Sequence, residues 1–197
     1  MSDCLSQIET YGDDPVKIPG VVRLENHYAS DLRGSFRKVY CGSQIKQIHS
    51  TLAMNECFIS ISKKNVFRGM HFQTPPFDCA KLITILQGDV IDVVYDLRKN
   101  SPTYLTYNAF RLAHPCCQSL FIPSGCAHGF LSMANDTMML YNTTVEYYPA
   151  ADKGIHYSSL KFPWPIAEEK MIISERDKNM PTIEKFENPF YYTEGEE

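Results

Sequence analysis

The sequence predicts an all-β barrel with a few short peripheral helices, on three observations. Short segments rich in Ile, Val, Phe and Tyr recur at close spacing through the middle of the chain. Turns of Gly, Pro and Asn separate them. Helical periodicity is weak throughout. Strands of this kind, joined by tight turns, build an antiparallel sandwich or barrel.

The elements follow in order. Cys57-Phe58-Ile59-Ser60-Ile61-Ser62 alternates as a strand does, and Lys63-Lys64-Asn65 turns the chain. Residues 80–86 form a second strand, Gln87-Gly88-Asp89 a turn, and residues 90–97 a third strand closed by Lys99-Asn100-Ser101-Pro102. Leu120-Phe121-Ile122 runs into Pro123-Ser124-Gly125. Residues 129–133 and 138–145 complete the set. Residues 42–54 and 166–180 are the two modest helix candidates. The acidic, aromatic stretch from Pro181 to Glu197 packs either on the barrel or on a partner subunit, and the sequence leaves that choice open.

A chain of 197 residues suits a single domain with a real core. Its expected parts are N-terminal strands over about 1–55, a barrel core over about 56–150 and a C-terminal segment over about 151–197. The net charge of -4, with no basic stripe, argues against nucleic acid. It leaves room for a phosphorylated ligand held by a local pocket of Arg and Lys. The polar N-terminus lacks a signal pattern, and no apolar run is long enough to span a bilayer, so no membrane is expected. Seven cysteines without CxxC spacing, including the adjacent Cys116 and Cys117, read as reduced thiols of a cytoplasmic protein.

Two motifs sharpen the fold. Pro123-Ser124-Gly125-Cys126-Ala127-His128 fits P-x-G-x-x-H, the second motif of the cupin jelly-roll barrel, where Pro and Gly turn the chain and the His points inward. Arg68-Gly69-Met70-His71-Phe72-Gln73 stands where a metal-binding cupin carries H-x-H and then a carboxylate. Here Phe72 replaces the second His and Lys81 stands in place of the acid. Two histidines and a protonated lysine do not make a transition-metal site, so no metal is expected. One such His alone reads as a satisfied core residue. Two, flanked by Gly turns and near Arg68 and Lys81, read as a site.

The chemistry these residues suit is proton transfer beside a carbonyl. A His titrates near neutrality and serves as base. A Tyr donates a proton to the other face of the planar intermediate. A cation stabilises the enolate, arginines grip a diphosphate, and aromatic rings stack on a nucleobase.

Lys64 through Gln73 resembles the K-x-V-L-R-G-L-H-x-Q segment of the dTDP-4-dehydrorhamnose 3,5-epimerase family. Ala80-Lys81-Leu82, Gly88 through Arg98, Ser101 through Tyr104, Ile122 through Phe130, Leu140 through Pro149, Trp164-Pro165 and Ser174 through Asp177 resemble its later segments in the same order. The likeness covers roughly residues 15–180, and several colinear motifs are far more specific than one. It implies that His71 is the general base, Asp177 the carboxylate that orients it, Tyr141 the proton donor and Lys81 the group beside the enolate oxygen. It makes His128 a second polar group of the pocket, Tyr147 the aromatic that stacks on the base, and Arg33, Arg68 and Arg176 the basic residues for substrate. Gln73, at the end of the motif, is assigned to substrate as well. The resemblance also implies no cofactor, and a homodimer whose N-terminal arm is shared.

This chain departs from the family pattern in three places. Lys38 stands where the family has Glu and is expected to face substrate. Glu56-Cys57-Phe58 replaces a Q-x-N segment, and Tyr157-Ser158-Ser159 replaces W-(N/D)-D. The first two lie where the family meets nucleotide or sugar. The expected function is therefore inversion of C3, C5 or both in a nucleotide-linked 4-keto-deoxysugar, with dTDP, CDP or GDP open as the carrier. The rival readings are a 3,4-ketoisomerase, a non-catalytic sugar-binding cupin and, most remote, a metal-dependent oxygenase.

Overall fold

The computed structural model describes residues 9–11, 17–48, 50, 52–115 and 118–194. Cys116 and Cys117 lie outside the described residues. The described chain is built mainly from thirteen strands: β1 (Glu9–Thr10), β2 (Val22–Glu25), β3 (Tyr28–Asp31), β4 (Gly34–Arg37), β5 (Glu56–Ser62), β6 (Phe67–Gln73), β7 (Lys81–Gln87), β8 (Asp89–Asp96), β9 (Tyr107–Ala113), β10 (Gln118–Ile122), β11 (Cys126–Ser132), β12 (Thr137–Thr143) and β13 (Asp152–Gly154). Two helices are short, α1 (Gly42–Ile48) and α2 (Glu175–Lys178). One sheet runs β1-β9-β8-β11-β6-β13, the other β2-β10-β7-β12-β5, and β3–β4 is a separate hairpin. This is the expected cupin-type jelly roll.

Period-two patterning divides each strand between two layers. Ile83 and Ile85 of β7, Val90 and Val94 of β8, and Met139 and Tyr141 of β12 meet in one apolar cluster between the sheets. Residues of the opposite parity, such as Leu82, Ile91 and Val93, face outward. Leu82 joins Ile45 of α1 and Phe121 under the second sheet. Ile91, Val93 and Tyr95 pack against Tyr157, Leu160, Phe162 and Phe190 of the C-terminal segment. That segment therefore packs on the barrel and supplies the outer cover of the first sheet.

The predicted helix over 42–54 shortens to α1. The one over 166–180 does not form as a unit. Ile172 is held extended by a parallel bridge to Val66, leaving a 3₁₀ turn at Glu168–Lys170 and the single turn of α2. β1 to β4 lie within the segment, about 1–55, where N-terminal strands were expected without individual bounds, and β9 was not expected as an element. Among the described residues, no helix is long and apolar enough to cross a membrane.

Strand β6 breaks its own alternation. Phe67, Met70 and Phe72 all belong to the outer cluster, while the side chains of Arg68, His71 and Gln73 line the interior cavity. Against β11, His71 pairs with His128 but Arg68 pairs with Phe130, so three residue steps on β6 face two on β11. A bulge of one extra residue sits at Gly69–Met70. Gly69 absorbs it with φ +147°, and a Cβ there would come within 2.5 Å of the Gly129 Cα. The two glycines thus let the strands touch, and the bulge turns Arg68 and His71 to one face. An unbroken strand would point residues three apart to opposite faces.

Candidate active site

The cavity between the sheets has a volume of about 420 Å³, within the size range of small-molecule sites. His71 reaches it from β6, with Nε2 at 2.8 Å from Oδ1 of Asp177. The carboxylate is itself held. Ser174 caps α2 by accepting the Asp177 N–H at 3.1 Å, and the Gly69 amide, in the bulge, donates to Oδ2 at 3.4 Å. Burial pushes the Asp177 carboxyl upward, but the His71 hydrogen bond and charge, the Gly69 amide and Arg176 outweigh it and hold its pKa below the ordinary value. The imidazole is thus fixed through one nitrogen, and the other remains for the cavity.

Tyr141 comes from β12, on the opposing sheet. Its ring stacks on Phe58 at 4.8 Å and meets the His128 ring edge-on at 6.1 Å. Burial, its largest influence, raises the phenol well above the ordinary tyrosine value, so it stays protonated. Lys81 donates from Nζ to the His71 carbonyl at 2.9 Å, and burial lowers its pKa. His128 Nε2 lies 2.7 Å from Oδ2 of Asp92, a carboxylate with no exposed surface.

The outer part of the cavity carries the cations and an aromatic. Arg68 donates to the Ser62 hydroxyl at 3.0 Å and to the Ile61 carbonyl at 3.2 Å. Arg176 pairs with Asp152 at 2.8 Å. Tyr147 is 58% exposed, and its backbone N–H donates to Glu56 Oε2 at 2.9 Å. Gln73 lines the wall, but its amide serves the chain itself. It accepts from the Tyr148 N–H at 2.6 Å and donates to the carbonyls of Phe77 and Glu146. Its position in the motif is thereby explained by the loop that carries Tyr147.

Nine of the expected residues gather here: His71, Tyr141, Asp177, Lys81, His128, Arg68, Arg176, Tyr147 and Gln73. All but Asp177 line the cavity directly, and Asp177 stands behind His71. Arg33 and Lys38 do not. Arg33 sits at the tip of the β3–β4 hairpin, paired to Asp31, and neither residue lines this cavity of its own chain. Sequence reasoning missed Asp92 and Asp152, and it reached Phe58 only as part of the Glu56-Cys57-Phe58 departure from the family pattern. A lone acid inside Val90-Ile91-Asp92-Val93-Val94 was a signal for the first, because a buried charge in such a strand needs a partner. Among the described residues, no group of three His, Cys, Asp or Glu side chains is arranged to ligate a metal.

The sequence matches the family described as dTDP-4-dehydrorhamnose 3,5-epimerase over residues 15–185. The chain belongs to the dTDP-4-dehydrorhamnose 3,5-epimerase family. It is thus an epimerase, an isomerase of nucleotide-sugar metabolism. Among its relatives, the dTDP-4-dehydrorhamnose 3,5-epimerase of Methanothermobacter thermautotrophicus is 32% identical, covering 88% of this chain and 94% of its own. The dTDP-4-dehydrorhamnose 3-epimerase of Streptomyces niveus is 31% identical, covering 84% and 80%. The Legionella pneumophila dTDP-6-deoxy-D-glucose-3,5-epimerase, solved with dTDP-4-keto-L-rhamnose, superposes with a TM-score of 0.84 at 26% identity, covering 95% of this chain and all of that one. The family thus includes epimerases named for both centres and for C3 alone.

Proposed function

We propose that the chain inverts C3, C5 or both in a nucleotide-diphosphate-linked 4-keto-6-deoxysugar, using its own side chains and no cofactor. The observation that carries this reading is His71 on one sheet, backed by Asp177 of α2, and Tyr141 on the sheet opposite, across one cavity. Inversion of a carbon requires removal of a proton from one face and its return to the other. A single group cannot do both without moving.

The 4-keto group acidifies the protons at C3 and C5. His71 takes one, and Asp177 stabilises the imidazolium that results. The electron pair moves to the C4 oxygen, where Lys81 offers its ammonium in a site that is buried and low in dielectric. His128, backed by Asp92, lines the cavity beside His71, on the other wall from Lys81. Tyr141, kept neutral by burial, returns a proton from the other side. Arg68 and Arg176 suit the diphosphate, and Tyr147 the base.

A homodimer belongs to this reading. On edge strand β5 the outward residues Ile59 and Ile61 are 52% and 60% exposed. An apolar edge of this kind invites a second copy. Arg33 and Lys38, exposed on the hairpin, would then serve the partner's cavity. The test of function is proton NMR in deuterated water with dTDP-, CDP- and GDP-linked 4-keto-6-deoxysugars. Deuterium is expected at C3, C5 or both. Movement of the carbonyl from C4 to C3 would favour the ketoisomerase, and binding without exchange would favour the non-catalytic module.

A further inference from the structure

We infer that Glu56 selects the base of the substrate, favouring cytosine or guanine, which carry an exocyclic amino group, over thymine or uracil. The inference rests on the epimerase reading of the same cavity. Glu56 heads β5 opposite Thr143, which pairs on its other side with Lys81. The three form one cross-strand row lining the cavity, with Tyr141 and Phe58 in the next row inward. The carboxylate therefore lies at the cavity's outer edge, about two strand spacings (~10 Å) from Lys81.

A carboxylate only accepts hydrogen bonds. Oε2 receives the Tyr147 N–H. Among the described residues, Oε1 has no partner and no cation is paired to Glu56. A diphosphate is repelled by this group and drawn to Arg68 and Arg176. The sugar is taken by the inner row. What remains for Glu56 is the neutral, donor-bearing end of the substrate.

Tyr147 identifies that end. Its backbone is clamped by Glu56 on one side. Next to it, Tyr148 is held by Gln73 and by a stack on Phe77 at 3.8 Å and 16°. The exposed Tyr147 ring is thus carried on backbone that is held one hydrogen bond from the carboxylate. A base stacked there turns its edge to Glu56. Cytosine offers its N4 amino group, and guanine offers N1–H and the N2 amino group side by side. Thymine and uracil offer one N–H between two carbonyl oxygens, both of which face a like partial charge.

The test uses the full-length enzyme with CDP, GDP, UDP, dTDP and dCDP as calorimetric probes, beside Glu56→Gln. CDP and UDP share every atom except the base edge. CDP and GDP are expected to bind about tenfold or more tighter than UDP and dTDP. In Glu56→Gln the gap is expected to shrink to a few-fold, because an amide accepts from the Tyr147 N–H and also donates to a base carbonyl. Equal binding of UDP and CDP would overturn the inference, as would a preference that survives Glu56→Gln. A loss of affinity from CDP to dCDP that exceeds the loss from CDP to UDP would move Glu56 to the ribose and overturn it too. Deuterium exchange with the matching sugars separates the two levels. Exchange that is fastest with the dTDP sugar sinks the base preference and keeps the epimerase. No exchange with any sugar sinks the epimerase.

Discussion

At the residue scale, the proposed base, His71, is only as good as the carboxylate behind it. Asp177→Asn keeps the shape but removes the charge that steadies the imidazolium, and deuterium exchange should fall about 100-fold. The same variant reads out stability. The folded pKa of Asp177 lies below the ordinary 3.8. Its stabilising contribution is therefore complete above about 3.8 and fades as pH falls through the lower folded value. Denaturant titrations between pH 5 and pH 2 should show a shallower loss in Asp177→Asn than in the natural chain. Lys81 makes a prediction on the alkaline side. Burial places its pKa below the ordinary 10.5, so the cation proposed to face the enolate is lost earlier than an exposed lysine would be. The pH profile of kcat should fall on an alkaline limb below 10.5, and Lys81→Arg should move that limb upward. An unchanged limb would remove Lys81 from this role.

At the element scale, strand β6 shows why Arg-Gly-x-His works as a unit. The bulge lets Arg68 and His71 share a face, and the Gly69–Gly129 contact makes room for it. Gly69→Ala places a side chain at φ +147° and 2.5 Å from backbone. It should cost about 1–3 kcal/mol in denaturant unfolding, and it should lower exchange further by turning His71. A Gly69→Ala chain of unchanged stability and rate would refute the role given to the bulge. This feature was not legible in the sequence, where Gly69 is one glycine among ten. The strand at 57–62 was legible from its period-two patterning, and those at 80–86 and 90–97, buried on both faces, from β-rich apolar runs bounded by turn residues. Asp177 was placed by resemblance alone, since a residue in Ser-Glu-Arg-Asp looks like surface until Ser174 caps it toward His71. The helix over 166–180 failed because pairing of Ile172 beside β6 outweighed a weak local preference.

At the scale of the whole molecule, each sheet contributes one half of the proposed chemistry. The first carries His71 and His128, the second Tyr141 and Lys81, and the core between them sets the distance across the cavity. The C-terminal segment closes the outer face and delivers Asp177. Arg33 and Lys38 remain outside this unit, which gives the dimer a test of its own. Mixed His71→Ala and Arg33→Ala chains, each inactive alone, should regain about a quarter of the natural activity on exchange of subunits, since one site in each hybrid is whole. No recovery from a mixture shown to exchange subunits would remove Arg33 from the partner's site.

The proposed mechanism requires base and acid on opposite faces of the sugar. The most direct measurement follows deuterium entry and configuration together at C3 and C5 in Tyr141→Phe. Exchange that continues while inversion falls by about 100-fold or more is the expected result. Inversion at the natural rate in Tyr141→Phe would contradict the account.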